Sequence, residues 1–388
     1  MNPFKPTAGK MPPVLVGRQN IIEDFQEALD NGAGAPGRLM LIMGQRGYGK
    51  TVMLTELRRL AEQHGWMTIS ETASEGLTAR LISALTPKGW HMECATVSPS
   101  VDIPGIASAS LGNASISFDD TAALTLRRAI DEALGSRKLK KGGGGILFTI
   151  DETQAATPED LIAIATAVQH VITDQDLSDL PDSQKKGVAF AFAGLPSLVD
   201  ELVNNKVLTF LRRSLQRHLG DVPLPDVKNA LIESFASSGK ELGEEAAARC
   251  ARLTSGYPYM IQLVGYYVWQ SAQRDKRDVV TETDIERGFA DALQAFGDAV
   301  CAPAFDALPS AAKKFACAMA EDGPEPSKVA DIGERAGKSR SWANKYRELL
   351  IAERFVEQTD YGYVRFTIPH MAQYLSHRCT EKRSSCTI

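Results

Sequence analysis

Long apolar runs are missing from this chain. No stretch approaches the ~18 uninterrupted apolar residues that cross a bilayer as a helix, so neither a helical span nor a membrane partner is expected. Also missing is the charged-then-apolar pattern of a signal peptide, since the chain opens Met1-Asn2-Pro3-Phe4-Lys5-Pro6. The expected location is cytoplasmic. Cysteine is sparse and scattered: Cys94, Cys250, Cys301, Cys317, Cys379 and Cys386 show no CxxC spacing and no paired histidines beside them. A metal or disulfide framework is therefore not expected, and the thiols should be reduced packing groups. Nor is there an excess of positive charge. The formal net charge of −5 argues against a chain coated globally in nucleic acid and leaves room for a local basic face.

What the chain has is length enough for two or three domains, at 388 residues, and one dense glycine cluster. Gly44-Gln45-Arg46-Gly47-Tyr48-Gly49-Lys50-Thr51 follows the apolar run Leu39-Met40-Leu41-Ile42-Met43. It precedes a segment beginning at Val52 in which Leu54, Leu57 and Leu60 recur at helical spacing. Strand, glycine loop and helix in this order make a phosphate-binding P-loop. Glycines let the backbone curl so that successive N–H groups and the positive helix end converge on phosphate. Lys50 adds a full charge, and the Thr51 hydroxyl can ligate Mg²⁺. Residues 44 to 52 are thus candidate ATP/ADP contacts.

A second motif answers the first. Ile146-Leu147-Phe148-Thr149-Ile150 is a buried-strand pattern ending in Asp151-Glu152. As the Walker B partner of a P-loop, Asp151 organises Mg²⁺ and Glu152 orients the attacking water. Gly187 to Gly194 reads as another buried strand of a parallel sheet. Ala193-Gly194-Leu195-Pro196-Ser197 at its tip carries neither Asn nor Thr, with Ser197 the nearest polar substitute. Residues 94–118 have the texture of an inserted β-hairpin. Residues 136–145 form a basic, glycine-rich linker read as a surface loop.

The remainder divides in two. Residues 222–298 are expected to be a helical lid, with a turn at Thr254-Ser255-Gly256-Tyr257-Pro258-Tyr259. Residues 299–378 read as helix, helix-turn-helix and β-hairpin, the winged-helix layout, followed by a disordered tail over 379–388. Residues 1–13 read as a flexible arm, and 14–221 as the α/β nucleotide-binding domain. Over 301–388 there are 13 basic and 11 acidic residues, a balance of +2, which leaves −7 for the rest of a −5 chain. The basic bias falls on the third helix of this region, where Lys338, Arg340, Ser341, Asn344, Lys345 and Arg347 are candidate contacts to duplex DNA. Winged helices also dock proteins, so a protein partner stands as the alternative to DNA.

On these motifs the chain, from about residue 13 to 376, resembles an AAA+ P-loop ATPase of the origin-recognition/initiator-like and STAND-like group with a C-terminal winged helix. The resemblance implies an α/β fold with a five-stranded parallel sheet, a helical lid, ATP with Mg²⁺, and homo-oligomer assembly through the nucleotide interface. It further implies base contacts from Val16, Gly17 and Pro258. It also implies an arginine finger from the segment Leu208 to His218, read as a helix with Arg213 and Arg217 on one face. Tyr259 stands where relatives often carry a sensor arginine.

Overall fold

The computed structural model describes residues 1–7, 10–12, 15–32, 34–86, 118–136, 144–176, 187–196 and 213–385. The expected hairpin of 94–118 (but for its last residue), most of the basic linker, Ser197 and residues 208–212 lie outside the described residues. Among the described residues no helix is long and apolar enough to cross a membrane. The chain divides into two compact units.

The first unit comprises Arg18–Gln45 and Gly49–Leu219. Its elements run α1 (Gln19–Asp30), β1 (Leu39–Gly44), α2 (Lys50–Gln63), β2 (Met67–Thr72), α3 (Leu77–Leu85), α4 (Phe118–Gly135), β3 (Gly145–Asp151), α5 (Pro158–Asp176), β4 (Gly187–Gly194) and β5 (Leu215–Leu219). The strands form one sheet in the order β2-β3-β4-β1-β5. Every pairing is parallel, with Leu39 opposite Phe190 and Ile146 opposite Val188. Parallel strands need covering on both faces, which is why β1, β3 and β4 are almost continuously apolar. Phe148 and Phe190 stack across β3 and β4 with centroids 4.4 Å apart. Asp160 ties α5 to α3, accepting hydrogen bonds from the backbone N–H of Gly76, Leu77 and Thr78 at 3.0, 3.1 and 2.9 Å. This satisfies donors that the first turn of α3 leaves without intrahelical partners.

One expectation fails here. Arg217 lies on the strand β5, paired with β1 through Ile42, so it does not share a helix face with Arg213. The β5 sequence Leu-Gln-Arg-His-Leu is the polar edge of the sheet, and its charged side chains misled a reading by helical spacing.

The second unit comprises Met1–Gly17, Arg46–Tyr48 and Gly220–Ile388. It begins with four helices, α6 (Leu224–Ser237), α7 (Glu244–Thr254), α8 (Pro258–Arg274) and α9 (Glu282–Phe296). There follow the short α10 (Ala302–Asp306), α11 (Ser310–Met319), β6 (Ser327–Lys328), α12 (Val329–Arg335), α13 (Arg340–Ala352), β7 (Val356–Gln358), β8 (Tyr363–Phe366) and α14 (Met371–Ser385). The three short strands pair antiparallel in the order β6-β8-β7. Three helices followed by this hairpin are the arrangement expected of a winged helix. Ser339 caps α13, its hydroxyl accepting from the Trp342 N–H at 3.3 Å.

Three further expectations are corrected in this unit. The N-terminal arm is docked at its start: Phe4 is buried against Phe235, with centroids 5.4 Å apart, and Asn2 donates to the Tyr266 carbonyl at 3.0 Å. Gly265 makes room for it, because a methyl there would lie 2.4 Å from the Phe4 ring. A lone apolar residue between prolines had no visible partner in sequence; α6 and α8 supply one. The tail is also ordered further than expected, as α14 continues to Ser385. Finally, Cys317 of α11 and Cys379 of α14 form a disulfide, with Cα atoms 6.2 Å apart across a sequence separation of 62. That separation carries no local signature, so only the packing of α14 on α11 reveals the pair. Cys250 and Cys301 behave as expected, buried and free, and burial pushes each thiol up to about 12.

Asp284 braces the helices of this unit. Fully buried, it accepts from the Thr281 N–H and hydroxyl at 3.0 and 2.7 Å, from Ser271 at 2.9 Å and from Arg277 at 2.6 Å. Burial alone would raise its pKa; the hydrogen bonds from Arg277, Thr281 and Ser271 outweigh burial and hold it at about 2 rather than 3.8. A depressed folded-state pKa stabilises above the unfolded value, and this contribution is lost as pH falls from near 4 through 2. Asp284→Asn should lower the unfolding free energy by about 2 kcal/mol at neutral pH. The gap from wild type should narrow towards pH 2 in urea titrations. Alkylation of the unfolded, unreduced protein should leave Cys317 and Cys379 unlabelled and label Cys250 and Cys301, and reduction should make the bridged pair reactive.

Candidate functional site

The loop between β1 and α2 turns on two glycines in the left-handed region, Gly47 (φ 81°) and Gly49 (φ 85°), where a side chain would be strained. α2 starts at Lys50, so its unpaired N–H groups and positive dipole end face the loop. Lys50 is only 6% exposed, and its Nζ donates to the carbonyls of Gly44 at 3.0 Å and Gln45 at 3.2 Å. A buried ammonium held by loop carbonyls beside the N-terminal end of α2 is suited to an anion of several negative charges. Val52 follows in the first turn of α2, half-buried.

The carboxyl end of β3 lies close by. The Thr51 hydroxyl donates to Asp151 Oδ2 at 2.5 Å, although the two residues are 100 apart in sequence. A hydroxyl and a carboxylate so paired make a fitting oxygen donor set for Mg²⁺. Glu152, next in the chain, adopts φ 51°, a sparsely populated conformation for a residue with a side chain. Its N–H donates to Asp151 Oδ1 at 2.9 Å, turning the following carboxylate away from the strand.

Gln154 is the residue that sequence reasoning missed. Its side-chain amide donates to the Glu152 carboxylate through Nε2 and accepts from the Leu195 N–H at 3.1 Å through Oε1. Thr153 adds a bond from its hydroxyl to the Ala193 carbonyl at 3.0 Å. The tip of β4, which lacks the expected Asn or Thr, is therefore linked to the Asp-Glu pair by residues that follow that pair. The segment after the Asp-Glu pair is a single 3₁₀ turn, Thr153–Ala155. A polar amide two residues past Glu152 was the available signal.

Of the two arginines, Arg217 is engaged by Asp24 of α1 in its own unit, at 2.8 Å through Nε and 2.6 Å through an Nη. Arg213, just before β5, is exposed.

In the second unit, Gly17, one of the residues expected on the base side, packs against Val222. Gly17 (φ 65°) is packed so that a methyl would lie 3.2 Å from Val222 Cγ1, and the Val222 N–H donates to the Gly256 carbonyl at 2.8 Å. Val16 is half-buried, and Pro258 stands at the first position of α8. The P-loop residues of this unit, Arg46–Tyr48, are held by the turn before α8. Tyr257 is 1% exposed and donates its hydroxyl to the Arg46 carbonyl. Tyr48 meets the Tyr257 ring edge-on at 4.7 Å and donates to Asp221 at 3.0 Å. Burial, reinforced by Tyr48, pushes the Tyr257 hydroxyl well above the ordinary tyrosine range, so it stays a protonated donor.

On α13, Lys338 (just before its cap), Arg340, Ser341 and Lys345 are exposed, whereas Asn344 and Arg347 are half-buried. Arg347 reaches Glu348 at 3.4 Å. Trp342 turns inward against Phe315 and Tyr346, at 6.1 and 4.9 Å between centroids, which fixes the basic side outward.

Comparison with known proteins agrees with this geometry. Residues 14–178 match the AAA ATPase domain family, and residues 298–375 match a domain family of unknown function. No curated protein matches the chain. Among solved structures, the chain is similar to the ORC2 protein of Aeropyrum pernix in its ADPNP–ADP complexes. The TM-score is 0.61 and the identity 13%, covering 98% of each chain. It is also similar to a Walker-type ATPase of Pyrococcus abyssi, with a TM-score of 0.58, 14% identity, and coverage of 93% of this chain and 96% of the other. Residues 14–178 thus match an AAA ATPase domain, and the fold of the chain, with its five-stranded parallel sheet, is similar to that of the Aeropyrum pernix ORC2 protein.

Proposed function

We propose that the protein is an ATP-hydrolysing switch whose nucleotide state and self-assembly govern duplex DNA binding through the winged helix. The observation that carries the ATP reading is the cluster of buried Lys50, the Thr51–Asp151 pair and the Gln154-held Glu152. The N–H groups of the loop from Gly44 to Thr51 and the Lys50 ammonium bind the β- and γ-phosphates of ATP. Val16, Gly17 and Pro258 take the base. Thr51 and Asp151 would hold Mg²⁺, which would supply positive charge against that developing on the phosphate oxygens. Glu152 orients and polarises water for attack on the γ-phosphorus, giving ADP and phosphate, and Gln154 fixes the direction of its carboxylate. Arg213, exposed and free of the Asp24 pair that occupies Arg217, is the arginine we assign to the neighbouring copy's nucleotide.

The Aeropyrum pernix ORC2 structure is of ADPNP–ADP complexes, which supports the nucleotide class. For DNA, the support is the outward set Lys338, Arg340, Ser341 and Lys345 at the start of α13. Basic side chains at the first turns of such a helix can reach phosphates and base edges in the major groove.

Lys50→Ala should abolish nucleotide binding. Glu152→Gln should bind ATP as wild type does and lose turnover by about 100-fold or more, measured as phosphate release. Full turnover in Glu152→Gln removes its assigned role. In fluorescence anisotropy with a labelled random-sequence duplex, binding should strengthen with MgATP. Charge reversal at Arg340 and Lys345 together should reduce the slope of log affinity against log salt by about 2. Absence of salt-sensitive binding would move the winged helix to the protein-docking alternative.

A further inference from the structure

In the P-loop, the peptide between Arg46 and Gly47 has its carbonyl bound by a side chain distant in sequence, that of Tyr257. In a trans peptide the C=O and the N–H point in opposite directions. Whatever fixes the Arg46 carbonyl on one side therefore fixes the Gly47 N–H on the other. Gly47 has φ 81° and no side chain, so the peptide before it can turn over at little steric cost. An N–H turned away from the loop interior is lost to phosphate binding.

Tyr257 holds this carbonyl. Its hydroxyl donates to Arg46 O, and its ring closes over Gly47: a methyl at 47 would lie 2.5 Å from the hydroxyl and 2.7 Å from the ring. The ring is held on two further sides, by Tyr48 edge-on at 4.7 Å and by Phe296 edge-on at 5.3 Å. Tyr48 is itself anchored on Asp221, which precedes Val222, the residue packed against Gly17. With 1% exposure, Tyr257 has no water to replace the bond it makes.

We propose that Tyr257 is a positioning residue of the nucleotide site: by holding the Arg46 carbonyl it presets the Gly47 N–H to face the β-phosphate of a bound nucleoside di- or triphosphate. The inference rests on the ATP reading above and adds a named device to it. Because a contact to the β-phosphate is made equally in the ground and transition states, its loss weakens binding without slowing the chemical step. A ring that merely supported the fold would act otherwise, reducing the amount of active protein and so kcat.

The test is Tyr257→Phe in the full chain, which keeps the ring and removes the hydroxyl. We expect the Kd for MgADP in calorimetry and the KM for MgATP to rise about tenfold, with kcat within twofold of wild type. Wild-type protein that binds neither nucleotide overturns the ATP reading itself. Wild-type binding matched by Tyr257→Phe overturns the role of Tyr257 alone, as does a fall in kcat at unchanged KM.

Discussion

The parallel pairing of β4 with β1 on one side and β3 on the other is the constraint from which the candidate site follows. Three parallel strands end at the same edge of the sheet, so the loop after β1 and the acidic pair after β3 emerge together. Only this register brings the Thr51 hydroxyl to 2.5 Å from Asp151 across 100 residues of sequence. The strands can be buried on both faces because they are nearly all apolar, and the stacked Phe148 and Phe190 lock the register between two of them. The polar groups of the site are thereby confined to the carboxyl edge.

At that edge, charge and backbone are arranged before any ligand is considered. Lys50 is buried and satisfied by loop carbonyls, Glu152 is held in an uncommon backbone conformation, and Gln154 bridges it to the tip of β4. Such a network is stiff, since each member's orientation is set by a second. The amide that touches both the strand tip and the Glu152 carboxylate comes from the other strand's loop.

Beside its small three-stranded sheet, the second unit is organised by aromatic and polar clusters. Tyr48, Tyr257 and Phe296 form a chain of edge-on contacts that His370 continues, its ring 6.3 Å from Phe296 and its Nε2 3.0 Å from the Leu253 carbonyl. This places the residue just before α14 in the same packed series as the P-loop tip. Asp284 and the Cys317–Cys379 bridge hold the helices on either side of that series.

The sequence by itself determined the elements whose signals are local. The glycines of the P-loop, the apolar runs of β1, β3 and β4 and the paired acids after β3 are each legible within about ten residues, because the chemistry needs those types at that spacing. What the tertiary structure decided depends on partners distant in sequence. Helical spacing suggested a face for Arg213 and Arg217, but pairing with β1 made the second a strand residue, and Asp24, some 190 residues earlier, neutralised it. Phe4 looked loose until α6 and α8 enclosed it, and Cys317 and Cys379 looked unrelated until α14 lay on α11. Tyr257 read as a turn residue; the structure buries it against Arg46 and Gly47. A side chain's type is fixed by its codon, whereas its partners are fixed only when the backbone closes, and hydrogen bonds and burial belong to partners.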